Sequence, residues 1–228
     1  MTAPLRRSGP PGGAGGGPGV VEAVCVTHAV KPDPGVVGRT GIDKRPVDVV
    51  VVRTDGVLGD TVADTVHHGG ADKAVYAYAV EDAEWWSERL GVTVPAGWFG
   101  ENLRLRGVQA GGAVIGERWR VGEQVLLEVT QPRIPCATFG RHVAQERWVR
   151  RFTEAGRVGA YLRVRQGGPV RAGDRVVVEH VPDHGVTVQR WFSGQDPDDA
   201  RTLLAAAHAG LALAPALVAY LQRSLKQA

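Results

Sequence analysis

Short runs of valine and other β-branched or apolar residues, cut apart by glycine turns, fill most of residues 20 to 180. Val20 to His28, Pro46 to Arg53 and Lys73 to Val80 are such runs, and Leu103 to Gly107, Ala113 to Ile115 and Arg118 to Val121 are shorter ones. Gln124 to Thr130, Gly159 to Arg165 and Asp174 to His180 complete the set. Runs this short, with so little helical pattern between them, cannot alternate into a wound βαβ sheet; they point to a closed or sandwiched β architecture.

Two helices interrupt the strands. Glu81 to Leu90 carries acids in its first turn and Gly91 as a stop, and Val143 to Ala155 has Val149 and Phe152 at helical spacing with Gly156 after it. Beyond Pro182-Asp183-His184-Gly185 the pattern changes. Asp196-Pro197-Asp198-Asp199 is a helix start with Asp196 as N-cap and Pro197 at the first helical position. Leu203, Leu204 and Ala207 form one apolar face, and Gly210 ends that helix. A second helix opens at Pro215 with Leu217, Tyr220, Leu221 and Leu225 on one stripe. The expected division is a Gly/Pro-rich flexible tail over residues 1–19, a β domain over 20–183 and a helical module over 184–228.

Composition limits the function classes. The net charge is +3, and its basic side is almost all arginine, with lysine only at Lys31, Lys44, Lys73 and Lys226. That bias suits a GC-rich genome, so no nucleic-acid partner is inferred. Two cysteines in 228 residues exclude a disulfide framework and fit a reducing compartment, the cytoplasm. No apolar stretch approaches the roughly 18 residues of a membrane span, and the N-terminus has no apolar signal segment.

Cys136 stands out. Gln131-Pro132-Arg133-Ile134-Pro135-Cys136 puts a lone thiol on a proline-stiffened loop beyond a strand, beside an arginine. The residue types there suit a nucleophile or a soft-metal ligand, and an inert buried cysteine fits as well. Cys25, inside the first apolar run, is expected in the core. Three further clusters carry polar chemistry: Asp43-Lys44-Arg45-Pro46, His67-His68-Gly69-Gly70-Ala71-Asp72-Lys73, and Trp98-Phe99-Gly100-Glu101-Asn102-Leu103. Each alone fits a solvated loop end or a turn. Together they supply a soft ligand, imidazoles, an amide and several cations. A zinc site of His67, His68 and Cys136 and a Cys–His nucleophilic pair both remain open on residue types.

In these four stretches the sequence resembles the MOSC family (molybdenum cofactor sulfurase C-terminal domain), in its YiiM-like branch. The resemblance rests on Lys44-Arg45-Pro46-Val47, on His67 through Tyr76, on Phe99-Gly100-Glu101-Asn102-Leu103 and on Gln131 through Cys136, in that order, and covers roughly residues 20 to 180. It implies a mainly β fold: a MOSC-type β-barrel with short helices, followed by a small C-terminal α-helical module of three helices, the third near Val188 to Ser193. It also implies the molybdenum cofactor, a molybdopterin dithiolene, with Cys136 as the molybdenum ligand. The implied activity is an oxidoreductase acting on N-hydroxylated compounds, such as hydroxylaminopurine base analogues.

On this resemblance Lys44, Arg45, Lys73 and Arg133 bind the anionic cofactor with Cys136. His67 or His68 supplies a proton, and Asn102 orients the substrate or a molybdenum oxo group. No flavin, haem or iron–sulfur motif is present, so the electrons are expected from an external donor protein. The Leu/Ala-rich tail suggests a homodimer face. Two other classes stay open: a sulfur carrier with a persulfide on Cys136, and a binding module that docks a redox partner through the C-terminal helices.

Overall fold

The computed structural model describes residues 18–227, so most of the flexible tail expected over residues 1–19 lies outside the described residues. The first strand, β1 (Gly19–Pro32), turns through residues 33–38 into β2 (Arg39–Val47). There follow β3 (Val49–Arg53), β4 (Gly56–Val57), a 3₁₀ turn at Ala71–Lys73, β5 (Val75–Ala79), helix α1 (Val80–Leu90) and β6 (Leu103–Arg106). Next come β7 (Arg118–Val121), β8 (Val125–Pro132), α2 (Ala137–Val143), α3 (Trp148–Ala155), β9 (Ala160–Gln166), β10 (Gly168–Arg171) and β11 (Arg175–His180). Helices α4 (Val188–Gly194), α5 (Pro197–His208) and α6 (Pro215–Gln227) end the described chain.

Seven strands close a barrel. The sheet runs β11-β7-β8-β9-β5-β6-β1, and β1 pairs back to β11, so neither edge stays open. Closure removes the unpaired N–H and C=O groups that an open sheet of short apolar strands would present. All the closing pairs are antiparallel except β5–β6. A parallel pair needs a crossover, and α1 lies in it. The fold is therefore mainly β with short helices, as the pattern of short runs implied. β2 adds to the outside of β1, and β10-β3-β4 forms a separate small sheet.

Three local expectations change. Pro46 to Arg53 is two strands rather than one, because Asp48 parts β2 from β3; the polar β2 carries little apolar periodicity and forms by pairing along β1, Lys44 opposite Thr27. Ala113 to Ile115 makes only a single bridge, Val114 to Thr187, which ties the barrel to the start of the helical region. The helix expected over Val143 to Ala155 is instead α2 and α3. Ala144 and Arg147 adopt left-handed backbone, at φ 55° and 52°, and the turn between them breaks the helix. That turn lets Phe139 from α2 and Phe152 from α3 enter one buried aromatic cluster with Tyr78, Trp86, Phe99 and Trp148.

The C-terminal helices pack on the barrel rather than apart from it. Leu203, Leu217 and Leu221 belong to the same continuous core as Leu127 and Trp119 of the barrel. Asp196 caps α5 by accepting from the Asp198 N–H at 2.7 Å, as the sequence implied, and α4 occupies the position of the third expected helix. Among the described residues no helix is long and apolar enough to cross a membrane.

Candidate functional site

A cavity of about 540 Å³ opens on one side of the barrel, between the β1–β2 hairpin, the long loop from β4 to β5 and the turn that follows β8. Lys44, His67, His68, Lys73, Asn102, Arg133 and Cys136 all line it. Their sequence separations are large, and the barrel brings them together. Arg45 does not line it. Strand alternation sends its side chain to the opposite face from Lys44, where it stays exposed and sits 3.9 Å from Asp43.

The β4–β5 loop is built by its own polar groups. Asp64 accepts from the His67 N–H at 3.0 Å and meets His67 Nδ1 at 3.0 Å, while the Asp64 carbonyl accepts from the His68 N–H. The glycines in His-His-Gly-Gly have separate reasons to be there. A Cβ on Gly69 would lie 2.8 Å from the Thr65 carbonyl oxygen, and Gly70 sits at φ 94°, a region side chains avoid. Downstream, Arg163 of β9 donates to Asp72 at 2.7 Å, and the Thr130 hydroxyl donates to the Asp72 carbonyl at 2.6 Å, fixing the loop to the barrel wall.

The two histidines consequently differ. His67 is largely exposed at the rim, and its carbonyl accepts from Lys73 Nζ at 2.5 Å. His68 turns inward, with Nδ1 3.2 Å from the Tyr161 hydroxyl. Burial, aided by the Arg133 charge, pushes the His68 imidazole down to about 4, so it is neutral near pH 7.

A buried carboxylate that the sequence reading missed organises the cavity floor. Asp60 accepts from the Thr27 N–H at 3.0 Å and the Thr27 hydroxyl at 2.8 Å, from Lys44 Nζ at 2.5 Å and from Asn102 Nδ2 at 2.9 Å. Burial acts to raise its carboxyl, but the Lys44 charge and these hydrogen bonds overcome that and hold it below the ordinary range. Asn102 is similarly committed: its Oδ1 accepts from the Tyr76 N–H at 3.1 Å, and Nδ2 also reaches the Cys25 carbonyl. Glu101, fully buried, accepts from the N–H groups of Gly97 and Phe99 at 2.8 and 3.0 Å and pairs with Arg104. The Gly-Glu-Asn-Leu element is thus bound into the wall and positions Phe99 and Gly100 against the cavity.

Cys136 is partly exposed at the N-cap of α2, while Cys25 is fully buried. Burial first, then the Glu101 charge, pushes the Cys25 thiol up to about 12, which leaves it inert. Arg133 is the unusual group. It is 3% exposed, its guanidinium lies 3.7 Å above the Phe139 ring, and its Nη1 has no hydrogen-bond partner. Among the described residues no carboxylate pairs with it. A buried guanidinium without a counter-ion is costly unless an anion completes it.

Two of the open readings lose their geometry. Among the described residues no group of three or more His, Cys, Asp or Glu side chains is disposed to hold a metal ion, so His67, His68 and Cys136 do not form a zinc set. Among the described residues neither histidine is hydrogen-bonded to Cys136: His67 Nδ1 meets Asp64 and His68 Nδ1 meets Tyr161, so the hydrogen bond of a nucleophile–base pair is not formed. Asp60 and Tyr161 were missed because neither is marked in the sequence. Asp60 follows a glycine turn, and Tyr161 lies in an ordinary apolar strand.

Comparison with known proteins agrees with this geometry. The MOSC domain family model matches residues 64–177, which take in the His-His-Gly-Gly part of the β4–β5 loop, the Cys136 turn and the barrel strands β5 to β9. Protein YiiM of Escherichia coli (strain K12) is 32% identical over 180 residues, 74% of this chain and 78% of that one. A protein named Reductase from Gibberella moniliformis is 33% identical over 124 residues, 53% of this chain but only 22% of that longer one. The crystal structure of YiiM from Geobacillus stearothermophilus superposes with a TM-score of 0.72 at 27% identity, covering 91% of this chain and 100% of that chain. A family model over half the chain, a relative aligned along most of its length and a shared barrel with its helical extension lead to one conclusion: the chain belongs to the MOSC domain family, in its YiiM-like branch.

Proposed function

We propose that this protein is a molybdenum-cofactor-dependent reductase of N-hydroxylated compounds, such as hydroxylaminopurine base analogues, supplied with electrons by a separate donor protein. MOSC domains are associated with the molybdenum cofactor, and the residues here suit that group. The observation that carries the reading is Arg133: a buried cation with an unpartnered Nη1, on the same cavity as the accessible Cys136 thiol. An anionic group completes the first, and a soft metal suits the second. When bound, the cofactor supplies the two-electron chemistry that breaks the N–O bond.

The chain's own residues then have distinct tasks. Cys136 holds the metal. Arg133 and Lys73 face the cofactor's negative charge. Lys44 contributes through its pair with Asp60, and Asn102 keeps that carboxylate in place. His68, being neutral, offers a hydrogen bond rather than a charge. Val36, Val37, Val62 and Val66 are exposed along the lining and present an apolar face suited to a flat heterocycle.

Two measurements test the reading. Protein produced in a host that makes the cofactor is expected to bind molybdenum, and Cys136→Ala to lose it; unchanged molybdenum in that variant removes Cys136 as the ligand. The loaded protein is expected to reduce a hydroxylaminopurine with a chemical electron donor. A sulfur-carrier role uses the same thiol but needs neither Arg133 nor molybdenum, so a metal-free protein bearing a Cys136 persulfide would overturn the proposal.

A further inference from the structure

Tyr161 enters the cavity from β9, far in sequence from every cluster that marks the site. It is 8% exposed, and its ring packs against Tyr76 with centroids 5.4 Å apart. Tyr76 is itself held by a hydrogen bond from its hydroxyl to the Val158 carbonyl at 2.9 Å. The Tyr161 backbone is fixed as well, paired in the barrel sheet opposite Tyr76 of β5 and Gln131 of β8. A phenol so held keeps its hydroxyl in one place, and that place is 3.2 Å from His68 Nδ1.

The direction of that hydrogen bond follows from the neighbours. A phenol hydroxyl has one proton to give, and a neutral imidazole has one nitrogen that accepts. Burial raises the Tyr161 phenol to about 12, so its proton stays on. The Arg133 cation acts on the same phenol through its charge, which draws the oxygen's lone pairs and repels its proton. A neutral imidazole nitrogen is also a stronger acceptor than a phenol oxygen, so the phenol proton points at Nδ1, 3.2 Å away. His68 Nε2 has no partner among the described residues and is the ring's remaining polar atom at a cavity the residue lines.

We propose that Tyr161 is a positioning residue that fixes His68 in the tautomer with its proton on Nε2 and presents that N–H to the cavity as a hydrogen-bond donor. The acceptor it suits is an oxygen carrying negative charge or a hydroxylamine oxygen, and this choice of ligand rests on the proposed reductase reading. The tautomer itself does not. The same geometry separates the two histidines: His68 faces the chemistry, while His67 serves the loop.

Nitrogen-15 NMR of histidine-labelled protein without cofactor reads the tautomer directly. The wild type is expected to show His68 protonated at Nε2 and bare at Nδ1, and Tyr161→Phe to show a mixture of the two forms. Phe keeps the ring and the backbone pairing in the sheet, so a near-normal melting profile should accompany the change. A wild-type His68 protonated at Nδ1 would overturn the proposal even if Tyr161→Phe failed to fold. An unchanged tautomer in a folded Tyr161→Phe would do the same. In the loaded enzyme, Tyr161→Phe is expected to lower kcat roughly tenfold, the loss of about one hydrogen bond, with KM nearly unmoved. The expected tautomers with no reduction of any N-hydroxylated base would sink the reductase reading and leave the Tyr161–His68 pair standing.

Discussion

Replacing Glu101 by Ala is expected to cost this protein about 5 kcal/mol, although Glu101 makes no contact with any reacting group. The magnitude follows from what the carboxylate holds. Its side chain and that of Arg104 are 0% and 3% exposed, and the two are joined by two hydrogen bonds. Removing one partner of a buried ion pair strands the other charge, at about 3–5 kcal/mol. Two more donors, the N–H groups of Gly97 and Phe99, lose their acceptor at the same time, each worth about 1–3 kcal/mol where water cannot replace it. These costs overlap, since a relaxed turn admits some water, so about 5 kcal/mol is a fair sum. Against a total stability of about 5–15 kcal/mol, that brings the variant near the folding threshold. Urea unfolding is the assay. With a slope of about 3 kcal/mol per molar, the midpoint should fall by about 1.7 M. Glu101→Gln keeps the shape and one acceptor oxygen, so it should lose less, about 2–3 kcal/mol. Adding Arg104→Met to Glu101→Gln should cost less than the two changes separately, by about 2 kcal/mol, because no stranded charge remains. A Glu101→Ala stability within about 1 kcal/mol of wild type, or strict additivity of the pair, would refute the assignment of this motif to the fold.

Acid should weaken the protein through His68. Its folded value near 4 lies below the unfolded value of 6.5, so the unfolded chain binds the proton first; stability is full above about pH 6.5 and declines towards pH 4, by at most about 3 kcal/mol. Urea midpoints measured from pH 7 to pH 4 should show this slope flattened in His68→Gln. Arg133→Met should leave the cofactor-free protein as stable as wild type or about 1 kcal/mol more so, since an unpaired buried charge is removed, yet cut bound molybdenum at least tenfold. Arg45→Ala, which alters a side chain outside the cavity, should leave molybdenum content unchanged, and a loss comparable to that of Arg133→Met would contradict the placement.

What the sequence determined by itself was local. Short β-branched runs between glycines set a mainly β architecture, because a period of two residues and the left-handed tolerance of glycine are written in consecutive positions. The Asp196-Pro197 helix start and the Gly91 and Gly156 stops are likewise local, and the structure keeps them. The Cys136 loop and the His-His-Gly-Gly stretch were visible because unusual residues stand side by side.

The tertiary structure decided whatever depends on long-range placement. β2 has too little apolar periodicity to announce itself and exists because β1 offers an edge. The sequence could not separate Lys44 from Arg45; strand alternation turned one inward and the other to solvent. Asn102, which looked like a substrate ligand, is held by Tyr76, Cys25 and Asp60, three partners from three different segments. Arg133 became informative only when its Nη1 proved to have no partner among the described residues, and Tyr161 only when β9 set its hydroxyl beside His68. Burial and charge balance are properties of what surrounds a side chain in space. In a closed barrel those surroundings come from strands far apart in the chain, so no window of consecutive residues contains them.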